Sequence, residues 1–226
     1  MQISGSVSGM HGVFKDMNDA INASIEAQKK VCTMTLDQRE QIISLIRKKT
    51  HENAEILANM GVNETGMGNV GDKILKHHLT ADKVPGTEDI STVAWSGDRG
   101  LTLVEMGPFG VIGAITPATN PSETVICNCI GMLAGGNTVV FNPHPNAKKT
   151  TIYTINMINE ASIEAGGPDN IAVTVEAPTL ETSAIMMKHP SIHLLVATGG
   201  PGVVTAVLSS GKRAIGAGAG NPPVLA

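Results

Sequence analysis

Aromatic side chains are almost missing from this chain: one Trp, one Tyr and three Phe among 226 residues. Its core must therefore be aliphatic, with the eleven Met as gap fillers. Cysteine is scarce as well. Cys32, Cys127 and Cys129 give no disulfide framework, and a reducing cytoplasm is the compartment they fit. Neither sign of charge dominates, since 16 Lys and Arg stand against 20 Asp and Glu, a net charge of −4. No basic block occurs, which argues against a nucleic-acid surface. No apolar run approaches the ~20 residues of a membrane helix. The opening MQISGSVSGMHG lacks the basic-then-apolar order of a secretory signal. Internal repeats and low-complexity tracts are absent too.

What is present is a 42% hydrophobic chain, long enough for one large or two small domains. Asp16–Cys32 has a helical spacing of apolar residues. Thr35 and Gln38 form a capping-box pattern before a second helix, which Gly61 is expected to end or kink. Val70–Leu79 reads as a short helix, residues 84–100 as loop, and Leu101–Met106 as an extended strand. From Val111 the rhythm is strand then helix: strands at 111–115, 138–142, 171–175 and 192–197, helices at 122–134, 147–164, 180–188 and 202–210. A last strand begins near Arg213. Such alternation predicts an α/β fold, with N-terminal helices on an open, doubly wound, mostly parallel sheet. The organisation expected is a helical part over 1–100, an arm strand over 101–108 and the sheet over 109–226.

The most informative stretch is GPFGVIGAITPATNP, Gly107–Pro121. A buried β-branched strand stops at Thr116-Pro117, and Pro121 opens a helix at its first position. The loop between them lies at the carboxyl end of a strand, where open α/β sheets place ligands. Thr116, Thr119 and Asn120 offer two hydroxyls and a carboxamide there, beside a helix N-terminus suited to an anion or oxyanion. Ala197-Thr198-Gly199-Gly200-Pro201-Gly202 is a second such turn, open to a phosphate or simply a tight connection. Gly216–Gly220 mimics a dinucleotide glycine fingerprint, but Asn221-Pro222-Pro223 follows instead of a helix, so that reading is rejected. Cys127 and Cys129 point to different helix faces and read as buried structural thiols. His189 and His193 are separated by Pro190 at a helix–strand break and do not read as a metal pair. No metal site is expected.

Six segments together resemble the aldehyde dehydrogenase superfamily, nearest its CoA-acylating branch in ethanolamine and propanediol utilisation. They are ETGMG (Glu64–Gly68), GLTLVEMGPFGV (Gly100–Val111), TPATNP (Thr116–Pro121), GNTVVFNPHPNAKK (Gly136–Lys149), ATGGPG (Ala197–Gly202) and GAGAGNPPV (Gly216–Val224). The resemblance implies a Rossmann-like sheet that binds NAD, with CoA as co-substrate and a small aldehyde as substrate. It further implies a homo-oligomer, located in the cytoplasm or a bacterial microcompartment. The strand at Leu101–Met106 would belong to an oligomerisation arm, paired with strands near the C-terminus of the full-length enzyme. In the implied mechanism a Cys thiolate attacks the aldehyde, hydride passes to NAD, and the thioester goes to CoA.

The same resemblance suggests site residues. Asn120, or Thr119 one position earlier, is the oxyanion donor. Thr116, Pro117 and Ala118 line the cofactor, and Thr198, Gly199 and Gly200 face the pyrophosphate. Asn142, Pro143, His144 and Pro145, with Gly167 and Pro168, surround the adenosine. Ala217 and Gly218 lie beside the active site, Ala217 standing where water-using relatives carry a Glu base. The nucleophilic Cys of the family matches none of Cys32, Cys127 or Cys129, so the chain reads as an N-terminal part, inactive alone. A stand-alone dinucleotide-binding module and a structural fragment are the competing readings.

Overall fold

In the computed structural model, residues 10–220, 223 and 224 are described. Residues 1–9 of the opening stretch, and Asn221 and Pro222 of the last motif, lie outside them. A two-residue strand, β1 (Val13–Phe14), leads into α1 (Met17–Val31), whose first turn is capped by the Asp16 carboxylate accepting from Asn18 N and Asp19 N. The capping box at Thr35 and Gln38 opens α2 (Leu36–Thr65) as expected. Gly61 does not end this helix, because buried neighbours such as Leu57 and Ala58 outweigh the ~1 kcal/mol propensity cost of one Gly. The stop comes at Gly66, which takes a left-handed φ of 68° and donates its N–H to Val62 O at 2.8 Å. α3 (Val70–Lys83) follows, capped by Asn69.

The stretch expected to be loop contains a strand. β2 (Val93–Gly97) pairs antiparallel with β3 (Gly100–Val104), so the arm strand finds a partner within the chain. β4 (Val111–Thr116), α4 (Pro121–Ala134), β5 (Thr138–Pro143), α5 (Lys148–Glu164), β6 (Ala172–Val175), α6 (Leu180–Lys188), β7 (Ile192–Thr198), α7 (Pro201–Leu208) and β8 (Arg213–Ala217) complete the order. Six strands form one parallel sheet in the order β1-β6-β5-β4-β7-β8. The order reverses at β4: successive strands run outward through β5 and β6, then β7 returns to the other side.

Both faces of the central strands β4, β5 and β6 are covered, as their continuous apolar runs require. Val139 and Phe141 of β5 join Ile42, Ile46, Ile130 and Ile158 from α2, α4 and α5 in one core. Val140, between them, joins Met17, Ile21, Met186 and Val207 from α1, α6 and α7 in the other. Phe141 is the largest fully buried side chain, and the other buried members of its core are aliphatic apart from Cys129 and Met157, as the shortage of aromatics demands.

Candidate functional site

The reversal at β4 leaves a crevice outside the carboxyl ends of β4 and β7, the place where doubly wound sheets bind ligands. The register puts the strand ends level: Thr116 pairs with Pro143, and Thr198 with Ala217. A cleft of about 710 Å³ opens there. It is lined by Thr116–Thr119 at and beyond the end of β4, Asn142–Asn146 at that of β5, Thr198–Gly200 at that of β7 and Ala217–Ala219 at that of β8. Its volume falls within the range of small-molecule and cofactor sites. α4 and α7 both begin with Pro directly after loops of this rim. Helix N-termini there favour negative charge.

Most of the residues singled out from sequence come together in this cleft. Thr116 is 2% exposed, and its Oγ1 is buried with no hydrogen-bond partner. Thr119 lines the rim. Gly199 N donates to Ala217 O at 3.1 Å, joining the β7 and β8 loops. A Cβ placed on Gly200 would meet nothing within 4 Å, so its backbone is open to the cleft. His144 Nδ1 accepts from Asn146 N at 3.1 Å, which puts the imidazole proton on Nε2. Asn142 is 5% exposed, and its Oδ1 accepts from Thr182 Oγ1 at 2.7 Å. It therefore braces the start of α6 as well as lining the wall.

One expectation, the place of Gly167-Pro168, needs correction. Gly167-Pro168 sits in the turn before β6, at the opposite, amino end of the sheet. Gly167 N donates to Ser162 O and Pro168 O accepts from Ser162 Oγ, while Ile42 closes the space beside Gly167. The turn after β6 reaches the cleft instead, through Thr179, Leu180 and Ser183. The carboxyl-end rule already pointed to that turn, since residues 176–179 follow β6. Asn120 does not line the cleft either. It occupies the cap position of α4 without a side-chain capping bond, and its Oδ1 accepts from Lys76 Nζ at 3.2 Å.

No thiol of the chain lines the cleft. Burial pushes the Cys129 thiol up to about 12 and raises that of Cys127, so neither is a ready nucleophile. Cys32 is exposed but lies just beyond α1, where Gln28 Nε2 donates to its sulfur. His189 accepts from Ser191 N, whereas His193 meets Phe109 O, so the two imidazoles serve separate local bonds. Among the described residues, no group of three His, Cys, Asp or Glu could hold a metal, and no helix is long and apolar enough to cross a membrane.

The family model for the aldehyde dehydrogenase family matches residues 8–219. The chain belongs to the aldehyde dehydrogenase family. Within it, the chain is 49% identical over 223 residues to the acetaldehyde dehydrogenase (acetylating) of Bilophila wadsworthia, covering 98% of this chain and 46% of that protein. It also superposes on a propionaldehyde dehydrogenase from the fucose utilisation microcompartment of Clostridium phytofermentans. There the TM-score is 0.93 and the identity 73%, over 94% of this chain and 49% of that one. An engineered glycolyl-CoA reductase with bound NADP+ matches at TM-score 0.91 and 50% identity, over 94% and 48%. Curated aldehyde dehydrogenase relatives of this chain are CoA-acylating acetaldehyde and propanal dehydrogenases, and it spans about half their length.

Proposed function

We propose that this chain is the nicotinamide-dinucleotide-binding part of a CoA-acylating aldehyde dehydrogenase, for which aldehyde, CoA and NAD give acyl-CoA and NADH. The observation that carries this is the convergence, at the switch point of the sheet, of an unpartnered Thr116 hydroxyl with the bare backbone of Gly199-Gly200. A buried hydroxyl without a partner is costly unless a ligand completes it. Gly199-Gly200 at the start of α7 suits a pyrophosphate, and the apolar walls at Pro117, Pro143, Pro145 and Leu180 suit the flat faces of an adenine. When bound, the cofactor supplies the hydride acceptor. The residues of this chain bind and orient it, and Thr119 and Asn120 remain the candidates for oxyanion contact in the full enzyme.

The chain alone is proposed to bind without turning over, since its thiols lie away from the cleft. The parent enzyme is proposed to pass its acyl group to CoA. Ala217 presents a methyl group where a general base would be needed to activate water, and lack of that base slows hydrolysis by ~10²–10⁴-fold. The β2–β3 hairpin is proposed as the oligomerisation arm, and a microcompartment as the setting, by analogy with the fucose-utilisation relative.

Calorimetric titration of the purified chain with NAD tests the binding. Gly200→Glu is the decisive variant: the backbone there is extended at φ −68° and ψ 164°, and a side chain has open space. The fold should therefore survive while a carboxylate repels the pyrophosphate. Affinity should fall more than about tenfold. Unchanged affinity would show that the phosphates bind elsewhere.

A further inference from the structure

The loop Thr116–Asn120 is held from behind by two lysines of α3, and they differ in kind. Lys76 reaches Asn120 from an exposed position. Lys73 is 2% exposed, and its Nζ donates to the Thr119 carbonyl at 3.0 Å. A buried ammonium is costly unless paired and hydrogen-bonded. Here Glu123 Oε1, itself on a residue only 6% exposed, lies 3.4 Å from Nζ. Space for the lysine stem comes from two glycines: added Cβ atoms at Gly61 and Gly68 would sit 3.7 Å and 3.4 Å from it.

The surroundings are equally ordered. His77 Nδ1 donates to the Lys73 carbonyl at 2.7 Å, which fixes the ring one turn along α3. Burial holds the His77 imidazole below its ordinary value. The Ser122 hydroxyl lies 2.7 Å from His77 Nε2 and 3.2 Å from Glu123 Oε2, so its one proton is shared between them. Ser122 and His77 have the spacing of a nucleophile and its base, but both are buried outside the cleft lining, so they form a scaffold.

We propose that Lys73 is a positioning residue for the cleft: its buried ammonium clamps the Thr119 carbonyl and so holds the β4 wall in its ligand-ready shape. An apolar residue of similar length would fill the same volume without the cost of a buried charge. What it could not supply is a directed donor to a loop carbonyl. Pre-ordering of that loop lowers the ordering cost on binding.

The test uses the whole chain with Lys73→Met and Glu123→Gln combined. Removing both charges avoids the stranded carboxylate that Lys73→Met alone would leave, and replaced buried pairs are often tolerated. Thermal unfolding should give a midpoint close to that of the unaltered chain. Backbone NMR order parameters at Thr119 and Asn120 should fall from about 0.85 to below about 0.6, with β5 unchanged. NAD should bind at least about fivefold more weakly. Only the affinity readout rests on the cleft being a dinucleotide site. If the unaltered chain does not bind NAD, that reading of the cleft fails and the order parameters alone decide on Lys73. A stably folded double variant with an equally rigid loop would overturn the proposal. If it does not fold, Lys73→Arg replaces it: a retained charge and donor should keep the order parameters near the unaltered values, and a mobile loop despite them would overturn the clamp.

Discussion

Thr116 shows what one atom contributes. Its Oγ1 is buried without a partner at the floor of the cleft. Val has nearly the same shape and lacks the hydroxyl, so Thr116→Val should leave stability unchanged or raise it by up to ~1 kcal/mol. If the hydroxyl meets the cofactor, the same change should weaken NAD about 2–10-fold, the worth of one hydrogen bond. Chemical denaturation and calorimetry separate the two effects, and stabilisation without loss of affinity would remove Thr116 from the site. Two histidines, one buried and one half-buried, give a second residue-scale expectation. Burial holds His77 and His189 below the ordinary imidazole value of 6.5, with Lys212 adding to the effect at His189. A depressed folded value means the unfolded chain binds more protons between that value and 6.5. The stability these groups provide is complete above 6.5 and is lost as pH falls toward the folded values. Urea midpoints measured from pH 8 to 5 should decline below about 6.5. His77→Gln should flatten part of that decline. Sequence made Thr116 legible because a strand end has a known position in such sheets. It also singled out Asn120, but not the contact from Lys76 on a separate helix that holds the Asn120 carboxamide.

Elements depend on partners far away in the chain, and α5 is the clearest case. Its own cap position, Ala147, provides no side-chain bond. Glu64, from the last turn of α2, supplies it: Oε1 accepts from Lys149 N at 2.7 Å, and Oε2 from Thr150 N at 2.8 Å and Thr150 Oγ1 at 2.7 Å. A carboxylate at a helix N-terminus satisfies orphan donors and complements the dipole. Glu64→Ala should cost ~2–3 kcal/mol in urea unfolding, and Glu64→Gln about half as much. A loss below ~0.5 kcal/mol would mean that solvent replaces the carboxylate without penalty. ETGMG was visible as a motif, but no role could be read for Glu64, because capper and helix are 85 residues apart. The missed strand β2 has a local cause. Its five residues are all exposed and carry no alternation of burial, and Gly97 and Gly100, read as loop markers, are the strand ends that flank the two-residue turn Asp98-Arg99.

At the scale of the whole molecule, the parallel sheet was legible because five strands alternate with helices in one direction along the chain. Its edges were not. β1 is two residues long and joins β6 only through the folded sheet. The other edge and the hairpin leave apolar surface uncovered. Ile215 of β8 is 58% exposed and Leu208 of α7 55%. In the hairpin, Leu101 and Leu103 share one face, while Trp95 pairs with Thr102 on the other. Their exposures of 64%, 60% and 59% mean that neither face is covered. Unpaired edges and contiguous apolar patches drive association. The chain should therefore scatter light with a mass above its 23.4 kDa at high concentration and bind an apolar dye. Charge on one hairpin face discriminates between the two surfaces. Leu101→Lys with Leu103→Lys should move the mass toward 23.4 kDa if the hairpin dominates, since β2–β3 pairing does not depend on these exposed side chains. If Ile215→Lys does so instead, the sheet edge is the sticky surface. A 23.4 kDa mass for the unaltered chain, without dye binding, would show that these exposed side chains are too dispersed to associate.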